Sequence, residues 1–377
     1  MNSGVTERGT PLARARAVAP RIRAAADEID EGRRIPTPLA DELIDLGMFR
    51  LLVPQSLGGE QMDWLDYLDV VRTIAYADAS VGWCVNQGAV FATTSCRAPA
   101  ALADEVWRDP RTVVANGPPQ GVTSEEVPGG YRLSGRWNFS SGCRHANWMA
   151  ALNADRGAPP RLHLIPRDQV RLVDVWQVQG LRGTGSFSFE VKDLFVPDSR
   201  TMPLNVPPYA DGAIYLPPQG LLFACGFGCV ALGNARAAID STEEFTSDKR
   251  PRFGSRPLSQ DPVVQQAVGK AEAIWRGAKA LLHNTVGGVW DAIRERGAIT
   301  LEERVELRMA GTHAIRESAR AVDICYNLSG SSSIFADRAI QRRFQDAHVI
   351  TQQVQGREAH YETVGQFFVG EEPRGVI

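Results

Sequence analysis

A chain of 377 residues exceeds what one hydrophobic core usually serves, so two or three packed units are expected. With 44% hydrophobic and 23% charged residues it is no disordered chain, and a net charge of −3 without a long run of one sign argues against nucleic acid or an anionic membrane as partner. Cys84, Cys96, Cys143, Cys225, Cys229 and Cys325 form neither a disulfide framework nor a CxxC zinc pair, which points to reduced cytoplasmic thiols and no metal.

The first two dozen residues carry Arg8, Arg14, Arg16, Arg21 and Arg23 and no apolar core of signal-peptide length, so export by that route is not expected. From Arg14 to about Leu102 the pattern predicts helices. Thr37 caps before Pro38 with Leu39, Leu43 and Leu46 on one face, and Asp63 precedes Leu65, Leu68, Val71 and Ala75 after the turn-rich SLGG. Between about Thr112 and Pro208 the period shortens: YRLSGRWNF, ANWMAALNA, PRLHLIP and VRLVDVW are rich in strand formers and divided by Gly or Pro. Phe187, Phe189 and Val191 alternate with Ser188 and Glu190, and a small barrel or sandwich is expected here.

After the Pro-rich stretch Val206 to Pro218, helix returns. Val264, Val268, Ala271, Trp275, Ala278, Leu282, Val289 and Ile293 recur mainly three or four residues apart, implying a helix of about thirty residues and roughly 45 Å. A helix that long packs in a bundle whose other face meets a partner chain, so oligomerisation is expected. Thr300 and Glu303 form a capping-box signature for the next helix. No apolar stretch reaches the ~20 residues of a membrane span. The fold class is α+β: an N-terminal helical domain (1–111), a central β domain (112–210) and a C-terminal helical bundle domain (211–377).

Chemistry concentrates in Gly129 to Trp148, GGYRLSGRWNFSSGCRHANW, where a strand ends in two hydroxyls and a glycine. Ser140 and Ser141 each donate and accept, and Gly142 lets a flat ligand approach the backbone, a combination suited to a heteroaromatic ring edge. Trp83 and Asn86 are placed in the substrate pocket. His145 reads as a surface loop residue, Cys143 as a spectator thiol, and Cys225 and Cys229 as helix-packing residues. Gly226, Gly228 and Gly233 lack the spacing and preceding strand of a dinucleotide fingerprint, so helix contact is expected of them.

Five segments occur in a telling order: LLVPQSLGG (Leu51 to Gly59), the strand block just quoted, QGLRGTGSFSFEVKDLFVP (Gln179 to Pro197), RPRFG (Arg250 to Gly254) and RRFQDAH (Arg342 to His348). Together they resemble the acyl-CoA dehydrogenase superfamily of flavoproteins over nearly the whole chain. The resemblance implies that family's fold, ending in a four-helix bundle, and a flavin site. In that site Phe139 stacks on the ring, Ser141 bonds its N5 edge with Ser140 and Gly142 beside it, Asn116 orients the oxygen end or the pyrimidine, and Arg250 reaches a phosphate of a neighbouring subunit's cofactor. Two positions depart from the pattern: Gln345 stands where an arginine usually precedes the aspartate, and Ser329 to Ser333 keeps only Gly330 of a glycine-rich element.

A dehydrogenase of this family needs a glutamate shortly after the Arg-Asp element to remove an acidic proton. The corresponding stretch here, VITQQVQG, contains no acid, and Glu358 comes a few residues too late. His348 instead resembles the branch of two-component flavin monooxygenases. That branch implies reduced flavin (FADH2 or FMNH2) from a separate reductase, O2 as co-substrate, and a C4a-hydroperoxide that hydroxylates an aromatic or polycyclic molecule or oxidises an amine. His348 would deprotonate a phenol or pass a proton to the departing hydroxide, with Ser141 retaining the adduct. Family practice implies a homotetramer, with a dimer equally compatible with the residues. The competing expectations are an acyl-CoA dehydrogenase-type oxidoreductase and a non-catalytic scaffold of the same fold.

Overall fold

The computed structural model describes residues 9–153, 160–204, 206–250, 255–375 and 377. Six α-helices come first: α1 (Pro11–Ala24), α2 (Ala26–Gly32), α3 (Thr37–Asp45), α4 (Trp64–Ala77), α5 (Ala79–Ala92) and α6 (Ala100–Trp107). Helix α3 starts one residue earlier than expected: Thr37 is its first residue and Pro36 its cap position, without a side-chain cap. Asp63 does precede α4. Helix α5 is capped by Asp78, whose carboxylate accepts the Val81 N–H at 3.1 Å. It is buried nearly all round, leaving only Trp83 and Gln87, one turn apart, half-buried on a single face.

The strands follow: β1 (Val114–Gly117), β2 (Pro119–Val127), β3 (Gly130–Ser140), β4 (Trp148–Asn153), β5 (Arg161–Pro166), β6 (Arg171–Val173), β7 (Phe187–Pro197) and β8 (Thr201–Pro203). They form two four-stranded sheets, ordered β1-β4-β5-β8 and β2-β3-β7-β6. Among the described residues only β1 and β4 pair in parallel. Trp137 on β3 stacks on Phe189 of β7 at 4.9 Å, and both are fully buried, as the alternation of Phe187, Phe189 and Val191 requires. The register of β3 on β7 shifts between Trp137 and Ser140, which still pairs with Phe187, so the strand is irregular at its last residues.

Helices then close the chain: α7 (Gln219–Asp248), α8 (Pro262–Arg296), α9 (Leu301–Ser329), α10 (Ala339–Gln352) and α11 (Ala359–Phe368). The long amphipathic helix expected around Trp275 is α8, and the capping box at Thr300 is present in both directions. Helix α7 is long and apolar enough by composition to cross a membrane, contrary to the sequence reading, but 89% of its most apolar window is buried inside the protein, which makes it a core helix. Its small residues admit neighbouring helices: Gly226 abuts the Asn86 side chain of α5 and Gly233 the backbone of α4.

Candidate active site

The tip of β3 is strained and pinned. Phe139 has φ +52° and Gly142 φ +78°, so the chain turns twice through left-handed backbone, which costs a residue bearing Cβ about 1–2 kcal/mol. Phe139 consequently stands 65% exposed, with Trp176 edge-on at 6.2 Å. The Gly142 N–H donates to the Thr184 carbonyl at 3.0 Å, tying the tip to a 3-10 turn at Arg182–Thr184. That turn is held from three sides. The Arg182 guanidinium donates to the Asp30 carbonyl at 3.0 Å, the Leu181 N–H donates to the Asp346 carboxylate at 2.6 Å, and Gly183 packs against Ile29 and Ser80.

Polar side chains converge on Ser141. Trp83 Nε1–H donates to Ser141 Oγ at 3.0 Å, Ser141 and Ser186 hydroxyls lie 2.7 Å apart, and Ser186 and Thr184 hydroxyls another 2.7 Å. Trp83 stacks on Phe227 of α7 at 3.9 Å, and Phe227 on Phe223 at 5.8 Å. One turn along α5, Gln87 donates to Asn116 of β1 at 2.7 Å. Half-buried Trp83, Gln87, Asn116 and Phe223 thus present a partly exposed aromatic and polar face between α5, α7 and the β3 tip, the candidate ligand cleft.

The Asp346 carboxyl is pushed up to about 7, chiefly by burial and then by Asp78, against the opposing effects of its Leu181 bond and Arg343. His145 is pulled down to about 4 by burial. Burial raises the Cys143 thiol to about 11, which makes it inert, as a spectator should be.

Several placements differ from those read in the sequence. His145 is not a surface residue: its ring lies 5.0 Å from Phe49, and its enclosed Nε2 has no partner. Asn86 is wholly buried and accepts the Tyr67 hydroxyl, so it belongs to the core beneath the cleft rather than to its wall. Ser140 is fully buried, with its hydroxyl directed at the Trp137 carbonyl and Gly117 rather than at the tip. His348 is exposed on α10, bonded to Asp323 at 2.8 Å and set against Phe344, and the fold does not bring it to Ser141 within the chain. Arg250 is exposed and donates to the Ser255 carbonyl, while residues 251–254 of its element lie outside the described residues. Sequence reading missed Thr184 and Ser186; the only signal was a pair of hydroxyls in RGTGSFSF.

Residues 13–96 match the family described as Acyl-CoA dehydrogenase, N-terminal domain, and residues 225–356 match Acyl-CoA dehydrogenase, C-terminal domain. Indole-3-acetate monooxygenase of Pseudomonas putida is 31% identical over 359 residues, spanning 94% of this chain and 92% of that protein. The chain belongs to the acyl-CoA dehydrogenase superfamily. Its branch is that of the oxygenase components of two-component flavin-dependent monooxygenases. A relative from Rhodococcus jostii, named flavin-dependent monooxygenase, oxygenase subunit HsaA, is 29% identical over 347 residues, 88% of this chain and 91% of its own. The crystal structure of 3-HSA hydroxylase from Rhodococcus sp. RHA1 superposes with a TM-score of 0.89 at 27% identity, covering 96% of this chain and 97% of that one. The superfamily fold is therefore present entire, and the protein is a reduced-flavin-dependent monooxygenase whose partner is a separate reductase.

The residues at the tip fit a flavin on their own chemistry. An exposed aromatic face at Phe139, a hydroxyl at Ser141, a close-approach glycine at Gly142 and the orphaned, enclosed Nε2 of His145 all fall in the one segment 139–145. Glu358, the nearest carboxylate in sequence to the position a dehydrogenase would use, is 76% exposed and pairs with Arg316 at 3.7 Å. Among the described residues no carboxylate is bonded to Trp83, Ser141, Ser186 or Thr184.

Proposed function

We propose that the protein inserts one oxygen atom from O2 into a flat aromatic or polycyclic small molecule bound in the cleft between Trp83, Phe223, Phe227 and Asn116, with amine oxidation as the close variant. The observation that carries this is the pairing of an aromatic, water-excluding wall with the Ser141 hydroxyl, while Glu358 faces solvent. The relatives point the same way, since one is named for indole-3-acetate, a fused aromatic ring.

Reduced flavin, when bound, supplies the electrons and activates O2. The chain's part is to hold and shelter it. Phe139 offers a ring face, Ser141 a hydrogen bond to the N5 edge, and Asn116, oriented by Gln87, an amide to the pyrimidine or oxygen end. Trp83 and the two phenylalanines exclude water and orient the substrate ring by stacking. Arg250 would meet a flavin phosphate from a neighbouring subunit, which requires at least a dimer and suits FAD or FMN; a tetramer suits the exposed Ile334, Phe335, Phe368 and Val369. Unpaired buried thiols suit the reducing cytoplasm.

The test is turnover with chemically reduced FAD or FMN and 18O2 against a panel of phenols, indoles and aromatic amines. One 18O atom in the product supports the reading. Bleaching of bound oxidised flavin by an acyl thioester, without oxygen incorporation, would replace it with a dehydrogenase.

A further inference from the structure

The hydroxyls behind the tip form a chain whose direction is fixed by its far end. Thr184 Oγ1 lies 2.8 Å from the Leu181 carbonyl, which only accepts, so the Thr184 proton is committed there. Across the next 2.7 Å contact the proton must come from Ser186. Ser186 then has none left for Ser141, and across that 2.7 Å contact Ser141 is the donor. Trp83 Nε1–H occupies one lone pair of Ser141 Oγ at 3.0 Å. With its proton turned inward and one lone pair taken, Ser141 has a single lone pair to offer the cleft, and no proton.

Running the chain the other way would aim the Ser141 proton outward. It would also leave Thr184 Oγ1 and the Leu181 oxygen facing each other at 2.8 Å with no proton between them, inside a fully enclosed pocket. The Leu181 carbonyl is itself immobile: it accepts from the Thr184 N–H at 3.1 Å and from Trp176 Nε1–H at 3.2 Å, and the Leu181 N–H is held by Asp346.

We propose that Thr184 and Ser186 are positioning residues that make Ser141 a hydrogen-bond acceptor toward the flavin, so that the site favours reduced over oxidised flavin. This rests on the flavin reading of the site. The chemistry is simple: N5 of a reduced flavin carries a proton and donates, whereas N5 of an oxidised flavin only accepts. An acceptor-only Ser141 bonds the first and opposes a lone pair to the second. The selectivity suits an oxygenase that takes its flavin already reduced from another protein and must release it once oxidised.

The experiment measures dissociation constants of the full-length protein for FAD and FMN, each oxidised and dithionite-reduced under argon, in wild type, Thr184→Val, Thr184→Ser and Ser186→Ala. Wild type should bind the reduced form at least tenfold more tightly. In Thr184→Val and Ser186→Ala the Ser141 proton is released outward, and the ratio of oxidised to reduced affinity should move toward the oxidised form by about tenfold, the size of one net hydrogen bond. Thr184→Ser, which keeps the hydroxyl, should restore the wild-type ratio. A merely structural role would weaken both redox forms alike. If wild type binds flavin but the ratio stays put in both Thr184→Val and Ser186→Ala, the relay is overturned and the flavin site stands. If wild type binds flavin in neither state, the site reading itself falls. Thermal melts of each variant identify any that fail to fold, and the two independent positions keep the comparison decisive.

Discussion

The Asp346 carboxylate accepts the backbone N–H of Leu181 at 2.6 Å, joining α10 to the turn that holds the β3 tip across 165 positions of sequence. The site therefore depends on a buried acid in the C-terminal bundle. Asp346 shares its enclosure with Asp78, Asp30 and Arg343, and Arg343 is itself tied to the Tyr76 and Ala77 carbonyls at the end of α4. Groups from the N-terminal helices and the C-terminal bundle thus meet behind one loop of the central region.

That enclosure makes stability depend on pH. The folded Asp346 carboxyl titrates at about 7, above its unfolded value of about 3.9, so its contribution is complete below the unfolded value and is lost as pH rises through 7. Asp346→Asn keeps an acceptor for the Leu181 N–H and removes the charge. Denaturation at pH 5, 6.5 and 8 should show the variant gaining on wild type as pH rises, with the difference growing by at least about 1 kcal/mol over the range. Parallel stability curves would mean that Asp346 is ionised throughout.

Phe139 holds left-handed backbone while 65% exposed, so its side chain contributes little to the fold. Phe139→Gly removes about 1–2 kcal/mol of backbone strain and incurs about 0.5–1 kcal/mol of glycine entropy, leaving stability unchanged or slightly raised. Affinity for reduced flavin should fall at least about tenfold, since one stacking face disappears. Urea denaturation and anaerobic flavin titration on the same sample check both halves. A loss of stability together with unchanged affinity would make Phe139 structural.

What the sequence made legible was local or carried by resemblance. The Thr300 and Glu303 capping box spans one turn, and the tip at Phe139 to Gly142 lies in one contiguous motif, so both could be read directly. Ser141 and Ser186 are 45 positions apart and meet only because β3 and β7 pair, a register that no periodicity fixes. His145 is enclosed because Phe49, from a different region, packs over it, and Asn86 is core because Gly226 lets α7 come close. His348 carries a reactive side chain in a suggestive motif, but the direction it faces depends on α9, which the motif does not encode.

Gly142 combines φ +78° with a hypothetical Cβ only 3.0 Å from His145 Nε2. Gly142→Ala should cost about 1–2 kcal/mol for the left-handed backbone alone, and more for displacing a ring enclosed under Phe49. The Gly142→Ala, His145→Ala double variant should be less destabilised than the sum of its parts, because the smaller side chain vacates the clash. Chemical denaturation of the four proteins tests this. Strict additivity would show that the tip moves away from His145 freely.

Helix α10 turns about 200° between Asp346 and His348, so a helix that aims the first at Leu181 sends the second to the opposite face. There His348 pairs with Asp323, both side chains more than 40% exposed, an arrangement worth at most about 1 kcal/mol. His348→Ala should therefore leave the ratio of product formed to O2 consumed unchanged, with stability altered by less than about 1 kcal/mol. An oxygen electrode with a peroxide assay and product quantification measures the coupling. Peroxide rising at the expense of product would return His348 to the chemistry, and would require another chain to bring a site to it.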